Sequence, residues 1–128
     1  MFINDCRIKI RDEVYAVARM KGFTGNLNFI PFAQVYDGEE WTLVLREEEL
    51  GNIETYSVEK GWRILTFRMI LPFEMVGFLS RISAALAEAG IPIFVISSYS
   101  TDHILVKEKH IPAAIRALQK IGCDFQEG

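Results

Sequence analysis

An α+β fold, with antiparallel strands covered by helices on one face, is what the hydrophobic periods of this sequence predict. Two observations carry it. Met75, Leu79, Ile82, Leu86 and Ala89 recur at steps of four and three, as do Ile111, Ala114, Ile115, Leu118 and Ile121, the spacing of one buried stripe on each of two helices. Around them lie short apolar runs, so the second half reads strand, helix, strand, strand, helix, strand, a split β-α-β, ferredoxin-like unit. A chain of 128 residues, 50% hydrophobic and 24% charged, suits one compact domain or two very small ones sharing a core.

The elements follow in order. CRIKI and VYAVARM read as strands joined by the turn residues Arg11 to Glu13, and KGFTGN as a loop. FAQVY and WTLVL read as strands across Asp37-Gly38-Glu39-Glu40, a glycine-containing hairpin signal, and REEEL as one helical turn. No strong amphipathic helix marks this half. A boundary is expected near SVEK-G (58–61), dividing the chain into residues 1–60 and 61–128. WRILTFRMIL (62–71) is the next strand, interrupted by PFE. The first helix ends at Gly90, where a left-handed residue is wanted. IPIFVIS (91–97) is apolar on both alternating faces, so it reads as a central strand covered on both sides. HILV follows, then a helix with Pro112 in its first turn, Gly122 at its end, and CDF as a last strand.

Seventeen acids outnumber fourteen Lys and Arg, giving a net charge of −3. That balance argues against a nucleic-acid binder and against an anionic membrane surface. No apolar run approaches the ~20 residues of a membrane-spanning helix. MFINDCRIKIRDE gains charge at once and lacks an apolar core, so no secretory signal is expected. A cytoplasmic protein follows, with Cys6 and Cys123 as two free thiols.

Between the last two apolar runs lies Ser97 to Asp102, almost wholly polar. Ser97, Asp102 and His103 invite a catalytic-triad reading, but consecutive strand residues face opposite ways, and no nucleophile elbow is present. Cys6, His103, His110 and Cys123 lack metal-ligand spacing, so neither metal nor cofactor is expected. Small-ligand binding fits better. The helix after PFEMVG offers unpaired backbone N–H groups to a carboxylate, and Gly77 either admits a ligand or permits tight helix–sheet packing. Ser97, Ser98, Tyr99 and Asp102 offer acceptors to an ammonium, or else cap a turn through their own hydrogen bonds.

WRILTFRMILPFEMVGFLSRISAALAEAGIPIFVISSYSTDHILV resembles the second half of tandem ACT-domain proteins. It is most similar to a short bacterial subgroup related to animal cytosolic arginine sensors. The subgroup's G-x-L, L-A-E-A-G-I and S-T-Y-x-T-D-Y-x-L-V appear here as Gly77 to Leu79, Leu86 to Ile91 and Ser97 to Val106, while DGEEWTLV (37–44) is a weaker echo in the first half. The resemblance implies two tandem ACT-like units, the first (1–60) degenerate and the second (61–128) an ACT domain. It also implies a non-catalytic regulatory protein that binds a small molecule, an amino acid, as a homodimer. Its structural alternative is an ACT module that helps a partner protein oligomerise. By the same resemblance, Met75, Val76 and Gly77 are backbone donors to ligand, and Ser97, Ser98, Thr101 and Asp102 form the polar wall opposite. The sequence departs from the motif at Ser98 and His103, and Glu74 adds negative charge to the loop, leaving open a basic amino acid as ligand.

Overall fold

The computed structural model describes residues 6–68 and 77–126. It places strands β1 (Cys6–Ile10), β2 (Tyr15–Met20), β3 (Ala33–Tyr36), β4 (Trp41–Arg46) and β5 (Thr55–Phe67), with a 3-10 helix at Glu47–Asn52. Then come α1 (Phe78–Glu88), β6 (Ile93–Ser97), β7 (Asp102–Lys107), a 3-10 turn at Glu108–His110, α2 (Ile111–Lys120) and β8 (Cys123–Gln126). The chain forms two compact units. One is Glu13–Trp62; the other joins the stretch up to Asp12 with the chain from Arg63 onward. The expected boundary at 58–61 falls inside β5, and β1 groups with the C-terminal unit rather than pairing with β2.

Within Glu13–Trp62 the strands run β3–β4–β2–β5, all antiparallel. Small residues on β2 meet large ones on β4, Ala16 beside Leu45 and Ala18 beside Leu43, all fully buried in one cluster. The β3–β4 turn is closed by Asp37, whose carboxylate accepts the N–H groups of Glu40 and Glu39 at 2.8 and 2.9 Å. Among the described residues this unit contains no α-helix, as its sequence lacks a helical stripe. Where β5 pairs with β2, Lys60 and Gly61 oppose Ala16 alone, a bulge. Gly61 takes φ 82° there and donates its N–H to Glu47 Oε2 at 2.7 Å.

The other unit has the strand order β8–β1–β5–β7–β6. Leu65 and Phe67 of β5, Ile104 and Val106 of β7, and Ile8 of β1 face α1 and α2. They enclose Phe78, Ile82 and Leu86 of the first helix with Ala114 and Leu118 of the second. The predicted stripes thus supply the core, although α1 begins at Phe78, whose ring meets Phe67 edge-on at 5.4 Å. Met75 and the PFE interruption lie outside the described residues.

Three expectations change. First, the sheet is mixed: β1 lies between β5 and β8, so β8 runs parallel to β1 instead of closing an antiparallel sheet. Second, among the described residues Ile93–Ser97 is an edge strand paired only with β7, and Val95 is 38% exposed. The strands buried on both faces are β7 and the end of β5. Apolar alternation does not separate an edge strand from a central one when its outer rim stays half-covered. Third, Cys6 and Cys123 are not free thiols. Parallel pairing sets them side by side, with Cα atoms 4.5 Å apart, and they form a disulfide.

A bridge joining residues 117 apart constrains the unfolded chain strongly. Cys6→Ser is therefore expected to lower unfolding free energy by about 2–5 kcal/mol, read by urea denaturation. Thiol titration of the denatured, unreduced wild type should give no free sulfhydryl.

Candidate functional site

The polar cluster of residues 97–102 forms the end of the β6–β7 hairpin. Ser97 and Asp102 are register partners, and the Ser97 hydroxyl donates to the Asp102 carboxylate. The loop is closed by Ser98, whose N–H and hydroxyl both donate to the Thr101 carbonyl, at 2.9 and 3.1 Å. Tyr99 projects outward, 82% exposed.

Strand alternation separates the expected site residues onto two faces. Ser97 and Asp102 share a face with Ile104, which points at the helices; His103 shares the opposite face with Leu105. His103 is buried (8% exposed), and its Nδ1 lies 3.0 Å from the Thr66 hydroxyl of β5. Serine, aspartate and histidine therefore do not assemble into a triad.

Ser98 and Thr101 instead line an open cleft of about 350 Å³ with Arg11, Thr66, Phe67, Arg68 and His103. Local structure fixes each wall. The Arg11 N–H donates to the Ile64 carbonyl at 3.0 Å, and its own carbonyl takes two hydrogen bonds from the Arg63 guanidinium, at 2.9 and 2.7 Å. The Arg68 N–H donates to the Arg7 carbonyl at 2.8 Å. Thr66 sits directly opposite Lys9 in the β1–β5 register. Burial, reinforced by the nearby Arg11 guanidinium, holds His103 below the usual histidine value of 6.5, against an opposing pull from Asp102. The imidazole is neutral at physiological pH and shares a hydrogen bond with a hydroxyl, so the floor of the cleft is polar and uncharged beneath a cationic rim.

Gly77 caps the N-terminus of α1 in a left-handed conformation, φ 87°, and a Cβ there would meet none of the described residues within 4 Å. Helix–sheet packing does not require this glycine; its backbone angle does. Met75 and Val76 lie outside the described residues. The Arg11, Thr66 and His103 walls of the cleft escaped sequence reading. Only the burial of His103 beside a threonine marks them, and that depends on strand pairing across 37 residues. Among the described residues no three His, Cys, Asp or Glu are grouped to hold a metal, and no helix is long and apolar enough to cross a membrane.

A βαββαβ unit with two helices on one sheet face is a ferredoxin-like domain. Residues 57–120 match the ACT domain, half of the chain, and the protein belongs to that family. ACT domains are regulatory, ligand-binding modules. The fold also resembles a protein from Agrobacterium tumefaciens, 20% identical, covering 94% of this chain and 92% of that one, TM-score 0.79. It resembles a Vibrio cholerae protein of unknown function, 27% identical, covering 87% and 85%, TM-score 0.73. The regulatory subunit of aspartate kinase from Thermus thermophilus, 10% identical and covering 90% and 96%, superposes with TM-score 0.65. At 20% and 10% identity the likeness carries the fold alone.

Two outcomes test this geometry. Gly77→Ala should cost about 1–2 kcal/mol by forcing a left-handed alanine, while Gly77→Asn, which tolerates that conformation, recovers part of it in thermal unfolding. The lowered proton affinity of folded His103 means that the unfolded chain binds its proton more tightly. Its stability contribution is then complete above pH 6.5 and is lost as pH falls below that value. Urea midpoints measured from about pH 8 to about pH 5 should decline in wild type and decline less in His103→Gln.

Proposed function

We propose that this protein is a non-catalytic regulatory module that binds an amino acid, with the cleft beside the β6–β7 hairpin as its site. One observation carries the reading: Ser98 and Thr101, two residues of the expected polar wall, line the same cleft as the buried Thr66–His103 pair. Ser97 and Asp102 act as positioning residues, because their mutual hydrogen bond fixes the hairpin end from the helix side of the sheet. Met75, Val76 and the exposed Gly77 remain proposed backbone donors at the start of α1. In this reading residues 1–60, with the 3-10 helix at Glu47–Asn52 in place of an α-helix, are the degenerate first ACT-like unit of a tandem pair, related to the arginine-sensor subgroup. In this reading the protein works as a homodimer.

The alternative of a structural module without ligand draws on the open edge of β6, where Val95 is left exposed.

Thermal unfolding in the presence of each of the twenty amino acids at millimolar concentration tests the reading. A ligand that binds only the folded state raises stability by about 2.7 kcal/mol at one hundred times its dissociation constant. One amino acid or one chemical class should raise the midpoint. Thr101→Val, which keeps the carbonyl that closes the turn, should abolish the rise while leaving the ligand-free midpoint within about 0.5 kcal/mol of wild type. No rise with any of the twenty would move the balance to the structural module.

A further inference from the structure

The chain is acidic overall, with a net charge of −3, yet its cations are not evenly spread. In the unit built on β8–β1–β5–β7–β6, Ile8 and Phe67 are register partners that point at the helices. Their neighbours Arg7, Lys9, Thr66 and Arg68 therefore point to the helix-free face, where Arg11 continues the row. Asp124, opposite Arg7, is the acid that the strand registers bring to this face. The two arginines nearest the Thr66–His103 pair, Arg11 and Arg68, both line the cleft. Arg68 is exposed, and none of the described residues makes an ion pair with its guanidinium. Arg11 is held by its backbone at both its N–H and its carbonyl, so its side chain projects from a fixed point.

Guanidinium groups bind carboxylates through paired, parallel N–H donors, and a hydroxyl-lined floor supplies further donors. A neutral imidazole does not compete for the anion. The cleft volume of about 350 Å³ is ample for a molecule of amino-acid size. An ammonium finds less here: the Thr101 carbonyl already accepts two hydrogen bonds, and Asp102 lies on the other face.

We propose that the cleft selects a small dicarboxylate, one carboxylate gripped by Arg68 and Arg11 and the other end held by the hydroxyl of Thr101, with the Thr66–His103 pair as the floor beneath it. This rests on the cleft being the ligand site, and it replaces the basic amino acid suggested by Glu74 with a ligand of opposite charge. The same chemistry is offered by an acidic amino acid and by a dicarboxylic acid lacking the amine.

Isothermal calorimetry and thermal unfolding on the full chain, with aspartate, glutamate, succinate, leucine and lysine, separate the cases. The expected result is binding by aspartate, glutamate or succinate and none by leucine or lysine. Arg68→Ala should weaken it roughly tenfold or more, and Arg7→Ala, on the same face outside the cleft, by less than about threefold. Binding of succinate as tightly as aspartate supports the dicarboxylate site and overturns the amino-acid reading. Binding of leucine or lysine alone overturns the dicarboxylate and leaves the amino-acid reading standing. Dicarboxylate binding that Arg68→Ala does not weaken overturns the cleft as the site. Silence from all five overturns the dicarboxylate, and the remaining amino acids then decide the broader reading.

Discussion

The insertion of β1 between β5 and β8 is the constraint on which the C-terminal unit depends. One five-residue strand from the start of the chain supplies antiparallel bonds to β5 on one side and parallel bonds to β8 on the other. Without it, the two strands would face each other across an unfilled gap, leaving rows of backbone N–H and C=O groups unpaired. The same insertion seats Ile8 in the core at zero exposure and sets Cys6 against Cys123. It also carries Lys9 to the side of Thr66 and Arg11 to the cleft. The order of strands thus decides the chemistry of the helix-free face.

A second constraint is the Thr66–His103 pair. Two polar side chains in the middle strands of a buried sheet are tolerable only if they satisfy one another, since an unpaired buried hydroxyl or imidazole costs about 1–3 kcal/mol. The hydrogen bond between β5 and β7 meets that requirement, and burial with the nearby Arg11 charge keeps the imidazole neutral. The polar floor that results sits at the end of a hairpin whose Ser98 and Ser97 hydroxyls are committed to turn closure and to Asp102. A rigid, hydrogen-bonded rim over a neutral floor is suited to holding a ligand in one orientation, because little side-chain entropy remains to be lost on binding.

Charge segregation is the third feature. Six of the seventeen acids, Asp37, Glu39, Glu40 and Glu47 to Glu49, cluster in one turn and on the 3-10 helix, while Arg7, Lys9, Arg11 and Arg68 gather on one sheet face. Composition summed over the sequence therefore understates the local positive field, and a field of that kind acts on small anions at short range.

The local elements were legible in the sequence. The two helical stripes, the Asp37–Glu40 hairpin, the glycines ending both helices and the turn at Ser98 to Thr101 depend on residues within a few positions of one another. Their periods and φ preferences are written in the chain. The family signature from Gly77 to Val106 was legible for the same reason. What only tertiary structure decided involves partners far apart in sequence. The place of β1, the disulfide across 117 residues, the edge position of β6, and the meeting of Arg11, Thr66 and His103 in one cleft all arise there. Hydrophobic alternation tells which face of a strand is buried but not which strand lies beside it. That neighbour is chosen by the packing of the whole sheet, and here the choice of neighbour made the cleft.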